Sequence, residues 1–187
     1  MSKDYSLIEE KHKVLIEKAI EQMKLIKDPK HSLSHVLQVV EYTKEILQNE
    51  KADDEVCIIS AYWHDVGRLK QNEGHALISA ELLKEEMQKL NYNEDMIEKC
   101  YKAIVKHSWY DNPETIEGII VRDADKIDFV GIKRWNECIE NNHRCDSILK
   151  LLPTTREELL GLDTSKKIFD REIANLVAFL HDKVFNI

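Results

Sequence analysis

The sequence predicts an all-α fold, a single-domain helical bundle, and three observations carry that expectation. Glycine and proline are scarce, 5 and 3 in 187 residues, which leaves little room for the tight turns of an all-β fold. Charged residues make up 33% of the chain beside 43% hydrophobic, the mixture that amphipathic helices need. Apolar residues recur near helical spacing in one segment after another. A chain of this length buries a sizeable core as one domain. No repeat, low-complexity tract or linker divides it, so residues 1–187 are read as one unit.

The pattern places a first helix from Ser6 to about Ile26, with Leu7, Leu15, Ala19, Met23 and Ile26 on its apolar face. Asp28-Pro29 interrupts it, because the residue before proline is pushed out of the α region. A second helix runs from about Ser32 to Asn49. Asp53 or Asp54 caps a third, whose stretch Val56 to Trp63 is apolar nearly all round, as at the centre of a bundle. Gly67 is its expected terminator. A fourth spans His75 to Leu90, and Asn93 caps a fifth that reaches Ser108. Asn112-Pro113 opens a sixth, and Val130 to Asn141 a seventh. Asn142 to Pro153 reads as a mobile surface loop, Thr155 with Glu158 as a capping box, and Ser165 to Phe185 as the last helix.

Composition limits the function. The formal charge is −8, from 27 basic and 35 acidic residues, and no basic run with interleaved aromatics suggests a nucleic-acid polymer as partner. An anionic ligand needs positive charge supplied locally, most economically by bound metal. Four cysteines, Cys57, Cys100, Cys138 and Cys145, form no CxxC pair and read as free thiols, Cys57 and Cys100 buried. Residues Met1 to Glu10 lack an apolar signal core, and no apolar run approaches the roughly 20 residues of a membrane span. A cytoplasmic protein without a membrane partner is the expectation. Its oligomeric state is not legible.

Among eight histidines, His35, His64, His75 and His107 fall where interior helices should meet, accompanied by Asp65 and Asp125. Imidazole and carboxylate together suit Zn, Fe, Mn, Co or Ni, and bundles hold such ligands on facing helices. Neighbours such as His64 and Asp65 diverge by about 100° on a helix, so both grip one ion only at a helix end or where ligands approach from two sides. A second His-Asp dipeptide, His181-Asp182, lies on the polar side of the last helix and reads as a surface pair. The i, i+4 pair His31 and His35 is no zincin motif, since Ser32 stands where that chemistry needs glutamate.

The run Ala61-Tyr62-Trp63-His64-Asp65-Val66-Gly67-Arg68 resembles the signature of the HD superfamily of metal-dependent phosphohydrolases. His31 to Val39 is similar to that family's first motif, and Asp123-Ala124-Asp125-Lys126-Ile127-Asp128 to its last. Gly74 to Ala80 and Val105 to Ser108 resemble the segments that add histidines in two-metal members. The resemblance implies an HD-type bundle in which His35, His64, Asp65 and Asp125 hold one divalent ion. Asp65 then bridges to a second ion held by His75 and His107. Zn, Fe, Mn, Co and Ni are the candidate ions, with Mg also possible. The first motif departs from the family in carrying Gln38 where an arginine is common, and His31 is the candidate to substitute for it.

Phosphate ester hydrolysis needs a nucleophile at neutral pH and charge stabilisation, and a metal-bound hydroxide supplies the first while the Lewis acid supplies the second. The resulting expectation is a phosphohydrolase acting on a nucleotide or other small phosphorylated compound. Asp65, Arg68 and Lys126 are its candidate catalytic residues, and His31, Arg68 and Arg144 its candidate substrate contacts. Lys70 is a further basic neighbour of the motif, and Asp123 and Asp128 are expected to hold ligand or helix geometry. Two alternatives use the same residues: a diiron oxygenase, and a non-catalytic ligand-binding module.

Overall fold

The structure, a computed structural model, describes residues 3–109, 111–143 and 146–185, and no strand occurs among them. Helices α1 (Ser6–Lys11), α2 (Lys13–Met23), α3 (Leu33–Leu47) and α4 (Asp54–Trp63) are followed by α5 (His75–Lys89) and α6 (Glu94–Val105). The chain continues through α7 (Ile116–Ile127), α8 (Ile132–Glu140), the short turns α9 (Asp146–Leu149) and α10 (Leu152–Thr154), and the long α11 (Asp163–Phe185). The fold is all-α.

The bundle is organised around α4. Every residue from Val56 to Trp63 is buried, because α2, α3, α6 and α7 pack around it. Trp63 anchors the N-terminal helices from inside, its indole N–H donating to the Leu15 carbonyl at 3.2 Å. Asp53 accepts from the Val56 N–H and caps α4, as Asn93 caps α6 through the Met96 N–H. Cys57 and Cys100 are buried free thiols.

Several boundaries differ from the sequence expectation for local reasons. The first helix is broken at His12 (φ −105°, ψ 16°), whose buried ring sits between the Tyr92 hydroxyl at 2.7 Å and Glu55 at 3.0 Å. The break turns Leu7 outward, 79% exposed. Thr115, not Asn112-Pro113, opens α7, accepting from the Gly118 N–H, and α7 runs on through Asp123 and Asp125. The expected loop from Asn142 to Pro153 contains helical turns. Thr155 heads a π-helical turn and donates its hydroxyl to the Leu151 carbonyl, so no capping box forms. Asp123 is buried and accepts the Gly161 and Leu162 N–H groups at 3.0 Å, tying α7 to the start of α11.

Gly67 is not a helix terminator. The helix α4 has already ended, and Gly67 lies in a 3-10 turn, Val66–Leu69, pressed against the start of α5. A Cβ there meets the His75 carbonyl and lies 2.7 Å from the Ser79 nitrogen, and the Gly67 N–H itself donates to Ser79 Oγ at 2.8 Å. Gly67→Ala is therefore expected to cost about 2–3 kcal/mol through overpacking against rigid backbone. Urea unfolding checks this, and a variant as stable as the parent contradicts the packing argument.

Candidate metal centre

Six candidate ligands reach one end of the bundle from helix ends. His35 lies in the first turn of α3, His75 is the first residue of α5, His107 follows the end of α6, and Asp125 is in the last turn of α7. Helix α4 stops at Trp63, with His64 its cap and Asp65 already off-helix at φ −107°, ψ 1°. That termination removes the 100° divergence of a continuing helix, so adjacent side chains enter the same site. All six are buried.

Each imidazole is held by its outer nitrogen. The His64, His75 and His107 Nδ1 atoms lie 2.7, 2.8 and 2.8 Å from the carbonyls of Ala61, Asn72 and Ile104, each three residues back. His35 Nδ1 instead meets Asp128 Oδ2 at 2.7 Å. Since these partners accept, Nδ1 carries a hydrogen in all four rings and the Nε2 atoms turn inward. They meet closely: His35 and His64 Nε2 are 3.3 Å apart, and His75 and His107 Nε2 are 3.2 Å apart.

Asp65 stands between the two histidine pairs and divides its oxygens between them. Oδ1 lies 3.2 Å from His75 Nε2 and 3.6 Å from His107 Nε2. Oδ2 lies 3.6 Å from His35 Nε2 and 3.9 Å from His64 Nε2. Both oxygens are buried without a hydrogen bond. Asp125 Oδ1 faces His35 Nε2 at 3.4 Å.

Converging ring nitrogens and a buried carboxylate that has an ion-pair neighbour in Arg68 but no aligned hydrogen bond are costly in a protein interior unless a further cation satisfies them. The donor set, imidazole plus carboxylate with each outer nitrogen pinned, fits a divalent transition metal. The donor atoms of His35, His64 and Asp125, and those of His64, Asp65 and His107, each lie within 4.8 Å of one another.

The electrostatics agree with that fit. Burial drives the His64 imidazole down to about 3, which keeps it neutral as a ligand must be. Burial also opposes a charged His35, but hydrogen bonds to Asp125 and Asp128 outweigh it and raise that ring to about 9, so the carboxylates favour on His35 Nε2 a proton that a bound ion would displace. Burial alone would raise both carboxyls. Asp65 and Asp125 are nevertheless held well below the usual carboxylate range, ionised as ligands must be, with Arg68 beside Asp65 and Lys126 beside Asp125.

A cavity of about 410 Å³ opens over this floor, with His75 and Asp125 among its lining residues. His31, Arg68 and Lys126 line it too. Arg68 Nε is 2.7 Å from Asp65 Oδ2, too poorly aligned to hydrogen-bond, and its Nη2 is 3.0 Å from His75 Nε2. Lys126 Nζ donates to Asp125 Oδ2 at 2.5 Å. His31 is not on α3 as its spacing suggested but on a separate 3-10 turn, Pro29–His31, where Asp28 holds its Nδ1 at 2.7 Å. Its ring still stands edge-on to His35, centroids 6.0 Å apart. Lys70 is exposed and does not line the cavity. Arg144 lies outside the described residues.

A larger groove of about 560 Å³ runs between α3, α8 and α11 and contains Gln38 but none of the site histidines. The departure at Gln38 thus faces away from the cavity. His181 and Asp182 are exposed on α11, 3.7 Å apart, as expected of a surface pair. Sequence reasoning did not single out Trp109 and Phe129, whose stacked rings (centroids 5.7 Å, 11° apart) form the cavity's aromatic wall, or Asp28 and Arg134 behind it. Trp109 and Phe129 come from distant segments, so no local pattern marked their pairing, whereas Asp28 and Arg134 act through near neighbours, His31 and Asp128.

Comparison with known proteins gives a consistent result. The HD-domain family model matches residues 32–129, just over half the chain. The fold is similar to the crystal structure of a predicted HD superfamily hydrolase from an uncultured Thermotogales bacterium. The TM-score is 0.72 at 23% identity, over 97% of this chain and 98% of that one. No curated protein matches. With the family model spanning His35 to Asp128, the chain belongs to the HD-domain family.

Proposed function

We propose that this protein is a metal-dependent phosphohydrolase acting on a nucleotide or other small phosphorylated compound. The observation that carries the reading is the convergence of four Nε2 atoms and two carboxylates beneath a cavity lined by Arg68 and Lys126. The reading assigns His35, His64, Asp65 and Asp125 to one divalent ion, and His75, His107 and the other Asp65 oxygen to a second. When bound, such ions supply Lewis acidity and an activated water.

The protein's own groups bind and orient the substrate. Arg68 and Lys126 each contact a ligand carboxylate and line the cavity, so a phosphoryl group over the floor meets two fixed cations. These cations compensate for the net acidity of the chain. His31, fixed through Asp28, lines the cavity, and Trp109 with Phe129 offers a flat apolar surface to the organic part of the substrate. Asp128 fixes the tautomer of His35 and is a positioning residue. The same ligands suit diiron oxygenation, but fixed cations over the floor favour a phosphorylated substrate. A cytoplasmic location belongs to this reading, and no helix among the described residues is long and apolar enough to cross a membrane.

The direct test is an assay panel of nucleoside mono- and triphosphates, dinucleoside polyphosphates, alarmones and small phosphate esters, run with Mn, Co, Ni, Fe and Mg in turn. His64→Ala and Asp65→Ala should each abolish hydrolysis while helical circular dichroism is retained, and His181→Ala should leave activity unchanged. Full activity in either site variant, or loss of it in His181→Ala, contradicts the assignment.

Metal binding should also show in stability, because the ions satisfy groups otherwise buried against their preference. Mn²⁺ at about a hundredfold over its Kd is expected to add about 2.7 kcal/mol to the unfolding free energy. Thermal melts with Mn²⁺ and with chelator measure the shift, and Asp65→Ala should lose most of it. An identical melting temperature in both conditions would count against a built metal site.

A further inference from the structure

We infer that the two ion positions are unequal: the one formed by His35, His64 and Asp125 holds its metal tightly, and the one formed by His75 and His107 exchanges with the surrounding supply. The inference rests on the two-ion reading above and concerns how the surrounding residues treat each half of the site.

Asp65 contributes one oxygen to each position, so it does not distinguish them. The remaining charge does. The first position has Asp125, whose Oδ1 lies 3.4 Å from His35 Nε2, and a further carboxylate behind it, Asp128, 2.7 Å from His35 Nδ1. A carboxylate on the outer nitrogen makes an imidazole a stronger donor, and loss of such a partner typically weakens metal binding by about 10–100-fold. The second position has no such support among the described residues. His75 and His107 are backed only by the neutral carbonyls of Asn72 and Ile104.

Positive charge sharpens the contrast. Arg68 Nη2 approaches His75 Nε2, the ligand atom itself, at 3.0 Å, where a fixed cation repels an incoming ion. Arg68 Nε also lies 2.7 Å from Asp65 Oδ2, the oxygen on the first side, but there it faces a carboxylate that neutralises it and not a ring nitrogen. The other cations near the first position likewise sit on carboxylates. Lys126 holds Oδ2 of Asp125, not the Oδ1 that faces His35. Arg134 meets Asp128 at 3.4 Å, a long contact beside the 2.7 Å bond to His35. A protein arranged this way keeps one ion under scarcity and completes its pair only when metal is plentiful. Its activity then follows metal supply through the His75–His107 half.

The test is calorimetric titration of Mn²⁺ into the full-length, chelator-treated protein. Two binding events are expected, their Kd values at least about tenfold apart. In a His75→Ala/His107→Ala variant the weaker event should vanish and the tighter one persist. Asp128→Asn, which keeps an acceptor for His35 but removes the charge, should weaken the tighter event alone, and Arg68→Gln should strengthen the weaker one. Two equal events in the parent overturn the inequality and leave the two-ion reading standing. Loss of the tighter event in the double-histidine variant reverses the order and overturns the proposal. A single event at saturating Mn²⁺ overturns both this proposal and the two-ion reading.

Discussion

The structure depends on how four imidazoles are turned. Each donates through Nδ1, three to backbone carbonyls three residues back and one to Asp128, and each therefore aims Nε2 at its neighbours. This arrangement is electrostatically unfavourable for an empty protein interior and favourable around a cation. A bundle that buries it has given up some of the stability an apolar core of the same volume would supply. The rest of the fold positions these rings. Helix α4 stops one residue before His64, α5 begins on His75, α6 ends just before His107, and Gly67 allows the turn carrying Asp65 and Arg68 to press against α5.

The same constraint explains why the polar groups are so unevenly distributed. Helix α7 carries Arg122, Asp123, Asp125 and Lys126 buried in its second half, an improbable set for a core helix unless each has a partner. Asp123 is satisfied by the backbone at the start of α11, Asp125 faces His35 and Lys126, and Lys126 closes on Asp125 at the cavity. Structural and site roles thus alternate along one helix, and the C-terminal segment beyond the family-matched region is tied to the ligand-bearing helix through Asp123.

Much of this was legible in the chain. The all-apolar stretch from Val56 to Trp63 marked the central helix, because no solvent-facing stripe interrupts it. The His64-Asp65 pair stood out from His181-Asp182 because other candidate ligands recur around it in order, whereas the second pair lies on a helix whose polar side faces solvent. What was not legible depended on contacts between distant segments. The break at His12 requires Tyr92 and Glu55, and the aromatic wall requires Trp109 to meet Phe129. The role of Gly67 is set by the backbone of α5 and not by its own conformation. His31 reaches the cavity from a turn and not from the helix its spacing implied, since Asp28-Pro29 favours a 3-10 turn capped by Asp28.

The central claim is that Asp65 divides two ion positions between two histidine pairs. Anomalous diffraction from a crystal grown with Mn²⁺ tests it most directly, because it locates the ions without reference to activity. The account predicts two anomalous peaks, one on each side of the Asp65 carboxylate, the first among His35, His64 and Asp125 and the second beside His75 and His107. No peak within the bundle, or one that avoids Asp65, would contradict it.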